Sequence, residues 1–222
     1  MSGFQRYKKI LDLFSEERSS WTVLEISKSL KTPSSTIYRI VREMVTAEFL
    51  ESASGSYFRL GPAFIKFNRI INFSDPLVRA GQPFLKKLAN ENPITSVNVL
   101  ARLYGNNVMC VADYKSPTFK KNTSYQRGKL MPLIYGATSR AIIMQITGKR
   151  LENLINLEKF KSDEDKTNFL KELKSDRKKG YCFTEGQVDK GLIGFAVSIS
   201  NKKLGIEALS LIHISEPTRL LR

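Results

Sequence analysis

The first sixty residues alternate between segments with helical periodicity and short polar breaks. Apolar residues recur every three or four positions over residues 4–16, which predicts a first helix. Thr22 and Glu25 have the spacing of a capping box, in which the threonine hydroxyl accepts the glutamate amide hydrogen and the carboxylate binds the amide of the cap. A short second helix is therefore predicted to begin at Thr22 and to end at Leu30.

A third helix is predicted over residues 33–47, with Thr32 as its cap and Pro33 in its first turn. Its apolar face repeats at i, i+3, i+4 and i+7, with Ile37, Ile40, Val41 and Met44. Its opposite face carries the polar residues Ser35, Arg39, Arg42 and Thr46, with Tyr38 on the flank. Two short alternating segments around Gly55 then predict a β-hairpin. Helices and a hairpin in this order are typical of a winged helix-turn-helix.

The rest of the chain predicts a linker helix followed by a mixed domain. Residues 62–73 place apolar side chains on one stripe, and Ser74-Asp75-Pro76 breaks this helix from the next. Alternating apolar and polar residues from position 97 onward predict strands, interrupted by a basic loop over 115–130. Helices are predicted at 76–91, 136–147 and 163–179, and strands at 97–103, 108–112, 181–184, 193–199 and 205–211. The predicted fold class is α+β, with an antiparallel sheet in the C-terminal domain.

Composition excludes several classes of protein. The chain has 222 residues, 41% of them hydrophobic, which is enough apolar material for packed cores. No apolar run is long enough to span a membrane, and the N-terminus does not resemble a signal peptide, so we expect a cytoplasmic protein without membrane contact. One histidine and two distant cysteines leave little material for zinc sites or catalytic triads, so no metal, cofactor or enzymatic activity is predicted.

Net charge is the unusual property of this sequence. It contains 36 basic and 21 acidic residues, a net charge of +15, which favours a polyanionic partner. Residues 1–75 hold 11 basic and 8 acidic residues, or +3, whereas residues 76–222 hold 25 and 13, or +12. Most of the charge therefore lies outside the predicted DNA-reading helix, and a lysine-rich proteome explains it equally well.

Several short motifs, in this order, resemble the IclR family of bacterial transcriptional regulators. The N-terminal ones are Leu24-Glu25-Ile26-Ser27, Pro33-Ser34-Ser35-Thr36-Ile37-Tyr38-Arg39 and Gly55 followed by Tyr57-Phe58-Arg59-Leu60-Gly61. The C-terminal ones are Gly128, Pro132-Leu133, Gly136-Ala137, Lys179-Gly180-Tyr181, Gly191 and Ala196-Val197. Together they extend over roughly residues 4–212.

The resemblance implies a winged-helix DNA-binding domain over residues 1–61, a linker helix over 62–75 and a GAF-like effector-binding domain over 76–212. It further implies a homodimer or homotetramer that binds a double-stranded DNA operator and a small organic acid effector. Residues 209–222 resemble sequencing-adapter read-through, so residues 213–222 are predicted to be a tail outside the effector-binding domain.

Candidate site residues follow from these patterns and from the resemblance. The DNA-binding candidates are Ser34, Ser35, Thr36, Tyr38, Arg39, Arg42 and Arg59, for which an ordinary solvated surface is the alternative. The effector-binding candidates are Met131, Leu133, Gly136, Ala137, Glu185, Ile193 and Gly194. Gln187 stands where family members often have the second of two acids. The expected function is ligand-responsive transcriptional regulation of a catabolic operon; the alternatives are a winged-helix module that binds protein or RNA, and an enzyme with a C-terminal site.

Overall fold

The computed structural model describes residues 3–91, 95–121, 123–131, 133–201 and 206–215, the last range by its backbone only. The chain divides into two compact units, Met1–Ser74 and Asp75–Arg222. Each unit has its own hydrophobic core. No described helix is both long enough and apolar enough to cross a bilayer.

The N-terminal unit combines four helices with a small sheet among the described residues. Its helices are α1 (Gly3–Leu11), α2 (Val23–Leu30), α3 (Ser34–Thr46) and α4 (Ala63–Ser74). Its strands are β1 (Ser20–Thr22), β2 (Leu50–Ser52) and β3 (Tyr57–Leu60), in the antiparallel order β1-β3-β2. The hairpin and the helix-turn-helix were predicted, whereas β1 was not, because three residues are too few to show an alternating pattern. Trp21 of β1 pairs with Phe58 of β3.

Two details of the predicted helix ends were wrong. The first helix ends at Leu11, because the amides of Leu13 and Phe14 donate to carbonyls three residues back and tighten the chain into turns. Thr32 does not cap α3, since its hydroxyl donates to the Leu30 carbonyl at 3.1 Å and Pro33 takes the cap position. The capping box of α2 is present as predicted.

The N-terminal core forms where α2 and α3 pack against α1 and the sheet. Its fully buried residues come from all three helices and from β2: Ile10, Ile26, Ile37, Ile40, Val41, Met44 and Leu50. The predicted apolar face of α3 is therefore the buried face. The Trp21 indole nitrogen donates to the Leu13 carbonyl at 3.0 Å and anchors the turn after α1.

The C-terminal unit is built on one antiparallel sheet. Its helices are α5 (Pro76–Glu91), α6 (Gly136–Ile143), α7 (Gly148–Leu157) and α8 (Asp163–Lys179). Its strands are β4 (Ser96–Tyr104), β5 (Asn107–Lys115), β6 (Leu130–Met131), β7 (Tyr181–Glu185), β8 (Ile193–Asn201) and β9 (Ile206–Ser215). In the described residues the strand order is β6-β5-β4-β9-β8-β7. The predicted α+β class is confirmed.

Two hydrophobic clusters lie on opposite faces of this sheet. On one face α5 packs on β4 and β5 through Leu85, Leu100 and Val111. On the other face α6 packs on the sheet and on α8, and this larger cluster contains the helix residues Ala137, Ala141 and Ile142.

Some predicted C-terminal boundaries differ from those in the structure. The predicted helix over 136–147 ends at Ile143, because the amides of Gln145 and Ile146 donate to carbonyls three residues back and tighten the chain into turns. Gly148, with φ of 60°, begins a separate helix that was not predicted. Strand β9 pairs with β4 and β8 as far as Ser215, so residues 213–215 of the predicted tail belong to a central strand. Pro132, residue 205 of the predicted last strand, and residues 216–222 lie outside the described residues.

Candidate DNA-binding surface and effector pocket

The exposed face of α3 carries five of the seven predicted DNA-binding residues. Burial of Ile37, Ile40 and Val41 turns the opposite side of the helix to solvent. The exposed residues there are Ser34, Ser35, Tyr38, Arg39 and Arg42. Tyr38 is 56% exposed, which is a large fraction for an aromatic side chain. Hydroxyl, phenol and guanidinium groups on one helix face can donate to base edges and to phosphates.

Thr36 lies apart from this face. It is half-buried and lines a groove of about 330 Å³ between α1 and the start of α3. Arg6 and Lys9 of α1 line the same groove beside Thr32 and Pro33. Neither basic residue is among the candidates predicted from the sequence, although their exposed positions around the buried Ile10 indicate the outer face of an amphipathic helix.

The predicted wing is short and its arginine is engaged. The turn Ser54–Ser56 is exposed, and Gly55 adopts φ of 67° to close it. Arg59 of β3 donates through Nε to Glu51 of β2 at 2.5 Å. Its side chain remains mostly exposed, so the guanidinium can reach a phosphate only while it shares its charge with Glu51.

A small polar cavity lies at the N-terminus of α6. Its volume is about 20 Å³, room for about one water molecule. It is lined by Tyr125 and by one β-hairpin, formed by β7, β8 and the loop between them, which contributes Thr184, Gln187, Val188, Asp189, Leu192 and Gly194. Gly136 borders it with φ of 81°, and a Cβ atom there would overlap the Tyr125 hydroxyl and lie 2.7 Å from Val188 Cγ2. Glycine is therefore required at this position by both conformation and space.

The cavity brings several hydrogen-bonding groups together at the start of α6. The Gly136 amide donates to Gln187 Oε1 at 3.3 Å. Burial raises the pKa of Tyr125 to about 12, so its phenol is neutral at physiological pH. The Thr138 hydroxyl is fully buried and close enough to Tyr125 to lower that pKa slightly, yet it makes no hydrogen bond of normal geometry with the described residues.

The predicted effector residues divide into three groups. Gly136, Ala137 and Gly194 meet at the cavity, since a Cβ on Gly194 would lie 3.3 Å from Ala137 Cβ. Met131 and Leu133 are buried in the larger core cluster and are not among the lining residues.

Glu185 and Ile193, which pair with each other across β7 and β8, make up the third group. Glu185 is exposed because side chains alternate along β7, so its neighbour Thr184 lines the cavity instead. Tyr125 and Asp189 were not predicted, because only the folded chain places their segments beside the start of α6.

Behind the cavity, α6 is tied to α8 by a buried charge. Arg140 donates through Nε to Asp176 Oδ2 at 2.9 Å, and both side chains are almost fully buried. The Nη1 atom of Arg140 lies 2.8 Å from Oε2 of the exposed Glu172 carboxylate. Arg177 donates to the carbonyls of Met144 and Ile146, which follow the end of α6. Helix α6, whose N-terminus borders the cavity, is thus bound to α8 at Arg140 and again just after its C-terminal end.

A winged helix-turn-helix joined to an α+β unit with an internal polar cavity is the architecture of a DNA-binding transcriptional regulator. Family models agree for most of the chain: the IclR helix-turn-helix domain matches residues 5–54, and the bacterial transcriptional regulator IclR C-terminal domain matches residues 74–218. The chain belongs to the IclR family of DNA-binding transcriptional regulators.

Individual relatives are distant in sequence and close in fold. The chain is 20% identical over 206 residues to the Pca regulon regulatory protein of Pseudomonas putida, covering 90% of this chain and 69% of that protein. An IclR homologue complexed with 4-hydroxybenzoate from Microbacterium hydrocarbonoxydans is 18% identical, with a TM-score of 0.80 over 98% of this chain and 90% of that chain. An IclR family regulator from Brucella abortus is 16% identical, with a TM-score of 0.77 over 99% and 83%.

Proposed function

We propose that this regulator controls a catabolic operon in response to a small organic acid. It binds a double-stranded operator through α3, acts as a homodimer or homotetramer in the cytoplasm, and has no enzymatic activity. The observation that carries the proposal is the exposed polar face of α3, formed by Ser34, Ser35, Tyr38, Arg39 and Arg42. The functional domains follow the sequence boundaries, with residues 62–75 linking the DNA-binding and effector-binding parts.

DNA recognition rests on Arg39 and Arg42, which project from the middle of the exposed face of α3. An arginine that binds guanine O6 and N7 through two hydrogen bonds contributes about 1–3 kcal/mol of discrimination against the wrong base. Ser34, Ser35 and Tyr38 supply hydroxyl groups for phosphates or base edges. Arg59 and Thr36 are assigned supporting contacts, because one shares its charge with Glu51 and the other is half-buried.

The test compares Arg39→Ala and Arg42→Ala with Lys174→Ala, which removes an equal charge from an exposed position of α8 in the other unit. The probe is a duplex selected from a random-sequence library by the wild-type protein, titrated in a mobility-shift assay. We expect each arginine variant to bind about 5- to 150-fold more weakly. Unchanged affinity in both arginine variants, with folding intact, would remove α3 from the interface.

The effector-binding proposal rests on the start of α6. The Gly136 amide, at the positive end of the helix, already binds an oxygen acceptor, and a carboxylate binds such a donor more strongly than an amide does. The neutral Tyr125 phenol and the Thr138 hydroxyl can bind a ligand hydroxyl. We assign Gly136, Ala137 and Gly194 to ligand contact and Met131 and Leu133 to the apolar wall behind them. Ile193 and Glu185 are assigned to its outer edge. The complex of the Microbacterium homologue with 4-hydroxybenzoate favours an aromatic acid.

Ala137→Trp tests this site, because an indole at the start of α6 fills the space of the ligand. The matched control is Leu157→Trp, which adds the same ring at an exposed position of α7. With 4-hydroxybenzoate as the probe, we expect a thermal shift in the wild-type and in the control and none in Ala137→Trp. An equal shift in a folded Ala137→Trp protein would place the effector elsewhere.

Oligomerisation is assigned to α4, whose apolar residues are exposed within the N-terminal unit. The exposed set is Ile65, Phe67, Ile70, Ile71 and Phe73, of which Ile65 is 75% exposed. Phe67, Ile70 and Ile71 share one face of this helix. An exposed apolar face of this kind marks a protein interface, and paired reading helices can contact two half-sites. Ile70→Lys with Ile71→Lys should shift sedimentation towards the monomer at micromolar concentration, whereas Leu24→Lys, on the exposed side of α2, should not. A monomeric wild-type protein would contradict the assignment.

A further inference from the structure

The loop that joins β7 to β8 is a self-contained unit with a glycine near each end. The Gly186 amide donates to the Leu192 carbonyl at 2.9 Å, and the Leu192 amide donates to the Asp189 carbonyl at 3.2 Å. Gly186 and Gly191 adopt φ of 61° and 72°. There is open space around both: the nearest side-chain atom to a Cβ added at either glycine is Lys121 Nζ, 3.6 Å from a Cβ on Gly191. These internal bonds hold residues 186–192 together, and the two glycines allow the backbone to turn at both junctions.

Three consecutive residues of this loop occupy the start of α6. Gln187 accepts a hydrogen bond from the Gly136 amide. Val188 places Cγ2 2.7 Å from the position that a Cβ on Gly136 would take. Asp189 lines the same cavity, which has a volume of about 20 Å³. A cavity of about 20 Å³ has room for about one water molecule, so in this conformation it excludes an organic acid.

Asp189 fastens the loop to the segment that carries Tyr125. Its carboxylate accepts three hydrogen bonds, from Thr123 Oγ1 at 3.0 Å, from the Ser124 amide at 2.9 Å and from Ser124 Oγ at 2.7 Å. The Tyr125 amide donates to Thr123 Oγ1 at 3.1 Å, so the segment is itself ordered by these bonds. Lys121 Nζ donates to the Gly191 carbonyl at 3.4 Å on the same side.

We propose that residues 186–192 form a lid that occupies the effector site with its own side chains. Gln187 places its amide oxygen where a ligand carboxylate oxygen binds, and Asp189 holds the lid closed on Thr123 and Ser124. This inference rests on the proposed effector site at the start of α6. An effector must displace Gln187, so its apparent affinity is reduced by the fraction of molecules in the closed state. Carboxylates displace the amide because their hydrogen bonds with amide donors are charge-assisted.

Hydrogen–deuterium exchange of two amides tests the lid without any ligand. The Ser124 amide reports the Asp189 contact, and the Gly136 amide reports the Gln187 contact. Gln187→Ala should raise exchange most at Gly136 and by a smaller factor at Ser124, because the lid loses one of the contacts that keep it closed. Asp189→Ala should raise exchange at both amides by at least about tenfold, because loss of the fastening contact lets the whole lid open. Lys190→Ala, an exposed change in the same loop, should raise neither.

The coupled response decides the inference. Exchange that rises at Ser124 alone in Asp189→Ala would overturn the lid, since the loop would then stay closed without its fastening contact. Thr123→Val with Ser124→Ala removes two of the three donors from the opposite side and should raise exchange at Gly136 in the same way. This second variant decides the question if Asp189→Ala fails to fold.

Ligand titration separates the lid from the proposed effector class. With 4-hydroxybenzoate as the probe, calorimetry should show binding about 3- to 30-fold tighter to Gln187→Ala than to the wild-type, because the competing intramolecular bond is gone. Tighter binding supports both the lid and the effector site. Coupled exchange without binding by any variant would support the lid and overturn the effector class. Equal binding by the wild-type and by Gln187→Ala would overturn the role given to Gln187.

Discussion

The candidate DNA-binding surface and the candidate effector pocket differ in how the chain assembles them. Five candidate DNA contacts lie on one face of α3, within nine positions of each other along the sequence. The cavity combines the β7–β8 hairpin, which supplies Thr184, Gln187 and Gly194, with Tyr125 and Gly136 from two distant parts of the sequence. A single helix displays its functional face through local periodicity, whereas a pocket depends on strand order and on loops far apart in sequence.

Charge shows the same contrast between the two units. The part of the chain up to residue 75 carries +3, and the remainder carries +12. DNA binding nevertheless belongs to the helix-turn-helix in the less charged part. Net charge therefore does not locate the DNA-binding domain of this chain, because contacts to phosphates and nucleobases are made at short range by particular side chains.

Arg140→Ala should destabilise the C-terminal unit by about 3–5 kcal/mol, because it leaves the buried Asp176 carboxylate without its partner. Trp21 is the only tryptophan and lies in the N-terminal unit, so its fluorescence reports that unit alone. In urea titrations, the unfolding midpoint measured by circular dichroism should fall, whereas the midpoint measured by Trp21 fluorescence should stay unchanged. Glu172→Ala, which removes the 53% exposed partner, should cost less than about 1 kcal/mol. An equal fall in both midpoints for Arg140→Ala would mean that the two units unfold together.

Thr22→Ala should destabilise only the N-terminal unit, by about 1 kcal/mol, because it removes the side-chain cap of α2. The Thr22 amide, followed by its hydroxyl, lowers the pKa of Glu25. A lowered carboxyl pKa contributes stability above the unfolded pKa of about 4.3 that is lost as pH falls through the folded pKa. Urea unfolding followed by Trp21 fluorescence should therefore show a smaller loss of stability from about pH 5 to about pH 3 in Thr22→Ala than in the wild-type. Identical pH profiles would contradict the capping role.

Arg6→Ala tests whether the groove beside α3 contacts DNA. A phosphate contact should make binding a fewfold weaker for all sequences and reduce the slope of log affinity against log salt by about one. Lys174→Ala removes an equal charge from an exposed position of α8 and should leave both quantities unchanged. Fluorescence anisotropy over a series of salt concentrations measures both. Equal effects of the two variants would mean that net charge, rather than its placement, determines affinity.

The smallest effect is expected at the cysteines. Burial raises the pKa of Cys110 to about 12 and also raises the pKa of Cys182, so both thiols stay protonated and unreactive in the folded chain. A thiol reagent should label neither residue at pH 8 and both in urea. Because the folded thiols hold their protons more tightly, stability of the C-terminal unit should fall as pH rises above the unfolded thiol pKa of about 8.5. Rapid labelling of the native protein would contradict this burial.

Agreement between sequence and structure is closest where neighbouring residues decide the outcome. The capping box of Thr22 and Glu25, the buried face of α3 and the bounds of α8 were all predicted. Helix α8 illustrates the reason: Ser162 caps its first turn, acids and bases match the two ends of its dipole, and Gly180 ends it in a left-handed conformation. Each of these interactions acts within a few residues.

The sequence by itself determined the order of elements, the apolar faces of the helices and the presence of a DNA-reading helix, because periodicity and capping are local. Tertiary structure decided that β9 pairs between β4 and β8, that Thr184 rather than Glu185 faces the cavity, and that Gln187 meets the Gly136 amide. Those outcomes depend on strand register and on contacts between segments about fifty residues apart. Free energies of packing over the whole sheet select them, and no short stretch of the chain contains that information.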